Sequence, residues 1–254
     1  MAGFRGIISV LSALGLWHLM SVLLGGQILP SPLSVGRDFI LCLSQPYFYG
    51  HFLTSARRAA AGVAVGLLLA TPLGWLMGSF KKLDLYLSPL LFMTYPVPKI
   101  LFLPVLLVML GLGEAPKVVL VAVTVGYQVL VVTRDSIINL EPGYVETFNG
   151  LWPGRRRKLR KGLALVRHVF WPASLPSAAT ALRLASGTAV SVLFMAESFA
   201  TERGLGFFIV EAWGNLDLNR MFSGILAMGL LGGAFYVLAN MAERKLCPWV
   251  SRKN

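Results

Sequence analysis

The chain has 254 residues, 56% of them hydrophobic and only 13% charged, with a formal net charge of +12. A soluble domain would be about one-quarter charged, and here the apolar residues fall in blocks of about 20, enough to cross ~30 Å of hydrocarbon. With a mean hydropathy of +0.70, this excludes a soluble globular enzyme, and the absence of alternating segments of about ten residues excludes a β-barrel.

Residues 6–25 form the first apolar block. Arg5 precedes it, but no small-x-small cleavage site follows, so it reads as an uncleaved span. QILPSPLSVG then breaks the helix at Pro30, Pro32 and Gly36. A short amphipathic helix is predicted from Val35 to about Leu43, lying at the interface. The second span is predicted over 58–80. Its glycines at 62, 66, 74 and 78 leave a small-residue face for close helix packing. Pro72 should kink it.

The third span, 85–111, carries Pro96, Pro98 and Pro104. Prolines free backbone carbonyls, which at membrane depth must meet protein or a water-filled path. Lys99 sits inside this break. A buried ammonium at that depth is costly, at least ~2.5 kcal/mol on insertion scales. It either lines a path and favours an anion, or it pairs with Glu197 or with the freed carbonyls. The fourth span, 117–138, ends in Arg134 and Asp135. These and Arg183 read as head-group neighbours or helix-end ion pairs.

Residues 140–176 form the longest polar interval. Arg155, Arg156, Arg157, Lys158, Arg160, Lys161 and Arg167 put seven cations into thirteen residues. Such a cluster resists translocation and places the interval in the cytosol. Val145, Phe148, Leu151 and Trp152 form an apolar stripe at helical spacing, fit for a partner groove or for the chain's own helix ends. The basic run suits anionic lipid, at about 1 kcal/mol per Lys or Arg. The fifth span is predicted over 177–200. Residues 201–220 form a polar return loop with an apolar island, and 221–242 form the sixth span. With both termini cytoplasmic, fourteen loop and tail cations lie inside against six outside, namely Arg37, Arg57, Arg58, Lys117, Arg203 and Arg220.

Catalytic chemistry has no foothold. GLGEAPK lacks the spacing and terminal hydroxyl of a phosphate-binding loop. His18, His51 and His168 are scattered, and Cys42 and Cys247 stand alone. No zinc or RNA-binding spacing accompanies the positive charge, so a nucleic acid partner is not expected. The chain should move or anchor something rather than catalyse.

Four stretches carry a resemblance: LPSPLSV after the first span, YPVPKILFLPVLLVMLGLGEAPK across the third, RHVFWPASLPSAATALRLASG into the fifth, and AESFATERGLGFFIVEA at its outer end. In content and order they resemble the membrane permease subunits of bacterial ABC importers, in the nitrate/sulfonate/taurine branch, over most of residues 28–245. The resemblance implies an all-α type I importer permease with about six transmembrane helices, one domain over 1–254. It implies an inner-membrane homodimer in contact with lipid, two ATPase subunits, a periplasmic solute-binding protein, and a small anion such as a sulfonate or nitrate as solute. ATP would act on the partner, and no cofactor is expected on this chain. The 140–176 interval becomes the ATPase-coupling loop, with Glu146, Phe148, Leu151, Trp152, Arg167 and Pro172 as contact residues. The family signature there is Glu-Ala-Ala followed by Gly; Glu146 is kept, Thr147 and Phe148 replace the alanines, Trp152 falls near the glycine, and extra basic residues follow Gly154. Lys99, Pro96, Pro98 and Glu197 are the candidate path residues, Glu197 as a packing or gate element. A stand-alone secondary transporter or channel, and a non-transporting scaffold, are the alternatives.

Overall fold

The computed structural model describes residues 2–151, 158–199 and 201–249. All its regular elements there are helical. They are α1 (Ala2–Leu24), α2 (Pro32–Cys42), α3 (Pro46–Ser79), α4 (Lys81–Thr94), α5 (Leu103–Leu110), α6 (Ala115–Ile138), α7 (Pro142–Leu151), α8 (Lys158–Leu165), α9 (Trp171–Ser198), α10 (Leu205–Gly214) and α11 (Leu218–Leu246). A 3₁₀ turn, Lys99–Phe102, precedes α5, and a π turn, Val166–Phe170, joins α8 to α9. Five helices are long and apolar enough to span a membrane, or six when α4 and the 99–110 segment, bent by 96°, are counted as one.

Two elements begin earlier than the sequence suggests. α2 starts at Pro32 rather than Val35. Ser31 caps it by accepting a hydrogen bond from the Ser34 N–H at 3.1 Å, and Pro32 takes the first turn. α3 starts at Pro46, because YFYGHFLTSARR contains polar residues and one glycine but no proline to stop a helix.

The largest correction concerns residues 158–176. They are not a loop. α8, the π turn and α9 run on into a span that extends over Lys161–Ser198. Pro172 and Pro176 bias a sequence reading towards a break, yet Pro172 follows directly on a π turn, where the hydrogen-bond ladder is already widened, and Pro176 is carried inside α9. The wide turn immediately before it absorbs the change of register. The polar interval therefore shrinks to α7 and its flanks.

The chain divides into two compact units, Met1–Arg57 with Phe194–Leu231, and Arg58–Leu193 with Gly232–Asn254. In the second, Val121, Val125 and Val129 of α6 pack with Ala181, Ala185 and Ala189 of α9. Alanine every fourth residue lets the helices close up. The α3 glycines do the same against α6. A Cβ on Gly62 would stand 2.6 Å from Val121 Cβ, and one on Gly78 2.6 Å from Ile137 Cβ. One on Gly66 would stand 2.8 Å from the Ala122 carbonyl oxygen. The partner numbers rise together, so α3 and α6 run in the same direction.

In the first unit, Phe48 and Phe208 meet edge to face at 5.6 Å. Ser223 of α11 donates to Asp38 of α2 at 2.9 Å. Trp17 Nε1 and Ser21 Oγ of α1 donate to the Pro30 and Leu29 carbonyls at 3.0 and 2.7 Å, tying down the turn before α2.

Candidate functional site

The break in the third span forms as the prolines require. Pro96 and Pro98 stand exposed in it, and Pro104 opens α5. Lys99, only 9% exposed, turns back on the end of α4. Its Nζ donates to the carbonyls of Thr94, Tyr95 and Val97 at 2.7, 3.2 and 3.0 Å. It also lies 4.1 Å from the centre of the Tyr127 ring, whose hydroxyl shares a 2.9 Å hydrogen bond with Thr94. Of the alternatives for this lysine, the freed carbonyls are the partners seen. A cation at a helix C-terminus satisfies orphan acceptors and complements the dipole. Lys117 repeats the device on the Leu112 and Gly113 carbonyls, at 3.3 and 3.0 Å. Lys99→Met leaves those three acceptors without their cation and should lower stability by about 2 kcal/mol. A fall in the thermal midpoint of the detergent-solubilised protein is the check.

Glu197 lies in the other unit, in a fully buried knot at the start of α10. Its Oε2 accepts from Ser55 Oγ at 2.7 Å and from the Gly206 N–H at 3.0 Å. Ser55 Oγ in turn accepts from the Leu205 N–H at 2.7 Å. His51 Nδ1 lies 3.1 Å from Gly204 N and 3.0 Å from its carbonyl oxygen. The carboxylate thus caps α10, satisfying N–H groups at its positive end. Beside it, Tyr47 donates to Glu211 at 2.7 Å, and Arg220 lies over the Tyr47 and Phe208 rings.

The expected coupling residues gather around α7 and the turn before α9. α7 lies against the π turn. Val145 and Phe148 are half-buried there, while Tyr144, Glu146 and Leu151 face out, Leu151 at 78%. A groove of about 660 Å³ runs under α7, lined by Phe80, Ile137, Leu140, Val145, Leu165 and Phe170. Arg167 is exposed on the π turn, and Pro172 is half-buried. Trp152 and the arginines at 155–157 lie outside the described residues.

Ion pairs close the ends of the second unit. Arg134 donates to Asp84 at 2.5 and 2.7 Å and to its neighbour Asp135 at 2.6 Å. Arg183 pairs with Glu243. Arg58, buried, forks onto Glu114 at 2.6 and 2.5 Å. The sequence marks Arg134, Asp135 and Arg183 as helix-end charges but not their distant partners, because those pairings are tertiary. The sequence does not mark Ser55 or Gln128 either: Ser55 is one of several polar residues in HFLTSARR, and Gln128 is a single amide in an apolar helix, with no spacing to flag either. Among the described residues no His, Cys, Asp and Glu side chains cluster as metal ligands.

Spans of this number, one of them broken at prolines and held by a buried lysine, with a short amphipathic helix between the fourth and fifth, make up the membrane subunit of a transport system. Residues 62–251 match the model for the binding-protein-dependent transport system inner membrane component, and the chain belongs to that family. It is a multi-pass permease subunit of an ABC importer rather than an enzyme, working with an ATPase and a solute-binding protein. Among its relatives are three permeases. The Bacillus subtilis protein SsuC, named for aliphatic sulfonates transport, is 27% identical over 96% of this chain and 87% of its own length. Escherichia coli TauC, of the taurine transport system, is 25% identical over 78% and 70%. The formylaminopyrimidine transport permease ThiX of Halalkalibacterium halodurans is 26% identical over 92% and 91%.

Proposed function

We propose that this chain forms the path for a small organic anion of the sulfonate type, and that α7 receives the stroke of the ATPase. The observation that carries the coupling reading is α7 itself. It is a ten-residue helix standing between two spans, with Val145 and Phe148 seated on the chain and Tyr144, Glu146 and Leu151 free. A seated helix with an outward face transmits a push from a partner groove. The distribution of Lys and Arg supports placing this end, and both termini, in the cytosol. A second copy completes the path, since one six-span subunit is too small to enclose a conduit and its gates. The solute class rests on two of the three relatives above, which are named for sulfonates or taurine. The break at Pro96 and Pro98, held by Lys99, flanks the path on this reading, and Glu197 acts as a packing element that fixes the start of α10.

The test is a charge placed on α7. Leu151→Asp adds an anion where the side chain is already exposed, so folding should be unaffected. Loss of a docking anchor costs about 2 kcal/mol, so co-purification of the ATPase and solute uptake in reconstituted vesicles should both fall at least several-fold. Uptake equal to wild type would remove α7 from the coupling path.

A further inference from the structure

The second unit leaves one hydrogen-bonded polar pair open at mid-span. Gln128 of α6 donates through Nε2 to Thr188 Oγ1 of α9 at 3.0 Å, and Thr188 is exposed. Gln128 lies 13 residues after Ala115 and 10 before Ile138. At about 1.5 Å per residue that is ~15–20 Å from either end of α6, near the centre of a bilayer. One turn on, Ser191 is also exposed, and so is Gly187, which directly precedes Thr188. The outward faces of α3 and α11 differ at comparable depth. α3 turns Leu68 and Leu69 outward, and α11 turns out Leu230 and Leu238.

An amide and two hydroxyls facing lipid are disfavoured, because hydrocarbon offers no partners. A face of this kind meets water or protein. Its hydrogen bonds suit a path that is empty part of the time. Thr188 donates to the Ala185 carbonyl at 3.0 Å, and Ser191 to the Gly187 carbonyl at 2.9 Å. Both hydroxyl protons are therefore satisfied at rest, and each can rotate outward when an acceptor arrives. Gln128 has one further amide hydrogen to offer and an Oε1 that makes no hydrogen bond among the described residues.

We propose that Gln128, Thr188 and Ser191 line the solute path and hold the oxygen-bearing end of a small anion through neutral hydrogen-bond donors. The inference rests on the transport reading above and names the side chains that touch the solute. Neutral donors suit transit, since they replace part of the anion's hydration without the deep well that a fixed cation at the same depth would create.

Thiol accessibility tests it in the full chain, reconstituted in vesicles with its partners. The native background is low. Cys42 and Cys247 are buried, and burial, then the neighbouring Asp38, pushes the Cys42 thiol up to about 11. Thr188→Cys and Ser191→Cys should react with a charged, membrane-impermeant methanethiosulfonate at least about tenfold faster than Leu68→Cys and Leu230→Cys, since only a hydrated thiol ionises to the reactive thiolate. Saturating taurine should slow that reaction. Gln128→Leu should cut uptake about tenfold, the worth of one hydrogen bond to a charged group, while the ATPase still co-purifies at the wild-type level. Rates at 188 and 191 equal to those of the leucine controls overturn the assignment, whether lipid or a second copy covers the face. Fast labelling in a protein that does not move sulfonates leaves the path assignment standing and removes the solute reading instead.

Discussion

Gly204→Ala should be the most damaging single methyl in this protein. Gly204 has φ +121, and a Cβ there would stand 2.3 Å from Glu197 Cδ. That backbone region is nearly closed to L residues, at about 1–3 kcal/mol. The clash adds a similar cost, because the obstacle is a buried, hydrogen-bonded carboxylate rather than the loose end of a chain. The sum is about 4 kcal/mol, comparable with the total stability of many domains. The variant should express poorly and lose its thermal transition in detergent. Glu197→Gln keeps the shape of the knot and can set its amide oxygen where Oε2 accepts from Ser55 and Gly206, losing only the negative charge at the positive end of α10, so it should cost only about 1–2 kcal/mol. If Gly204→Ala melts like wild type, the carboxylate does not cap α10.

The second large effect lies at the α3–α6 contact. A Cβ on Gly66 would meet the Ala122 carbonyl oxygen at 2.8 Å and the Gly126 nitrogen at 3.3 Å. Both are backbone atoms, which no rotamer change can move. Gly66→Ala must part the helices along their length, at about 2–3 kcal/mol, and Gly66→Leu should prevent assembly. Gly233→Ala is the internal control, because nothing lies within 4 Å of its Cβ position. It should be neutral, or slightly stabilising through the better helix propensity of alanine. Thermal midpoints of the three variants decide the matter, and equal losses at 66 and 233 would mean that α3 does not pack through its glycines.

Much of the organisation was legible because a membrane sharpens the code. Apolar length reports spans, Lys and Arg distribution reports sides, and proline clusters report breaks. The glycine spacing on α3 identified a packing face, though not its partner. The failures share one cause. Residues 158–176 and 46–57 carry charges and prolines that look like loop, yet nothing in them forbids a helix once neighbouring spans shelter the backbone.

The class, the number of spans, the broken third span and the family follow from composition and from order along the chain. What the polar residues do follows instead from the packing of distant segments. Lys99 and Glu197 are both buried charges, one in the broken third span and one near the end of the fifth. Packing made one the cap of α4 and the other the cap of α10, through partners at positions 55 and 206 that no spacing rule connects to 197. Whether an intramembrane polar group is buried in protein or left facing outward, as Thr188 and Ser191 are, depends on which helix lies beside it. That neighbour is chosen by the close approach of small residues on other helices, and it is not written next to the group it covers.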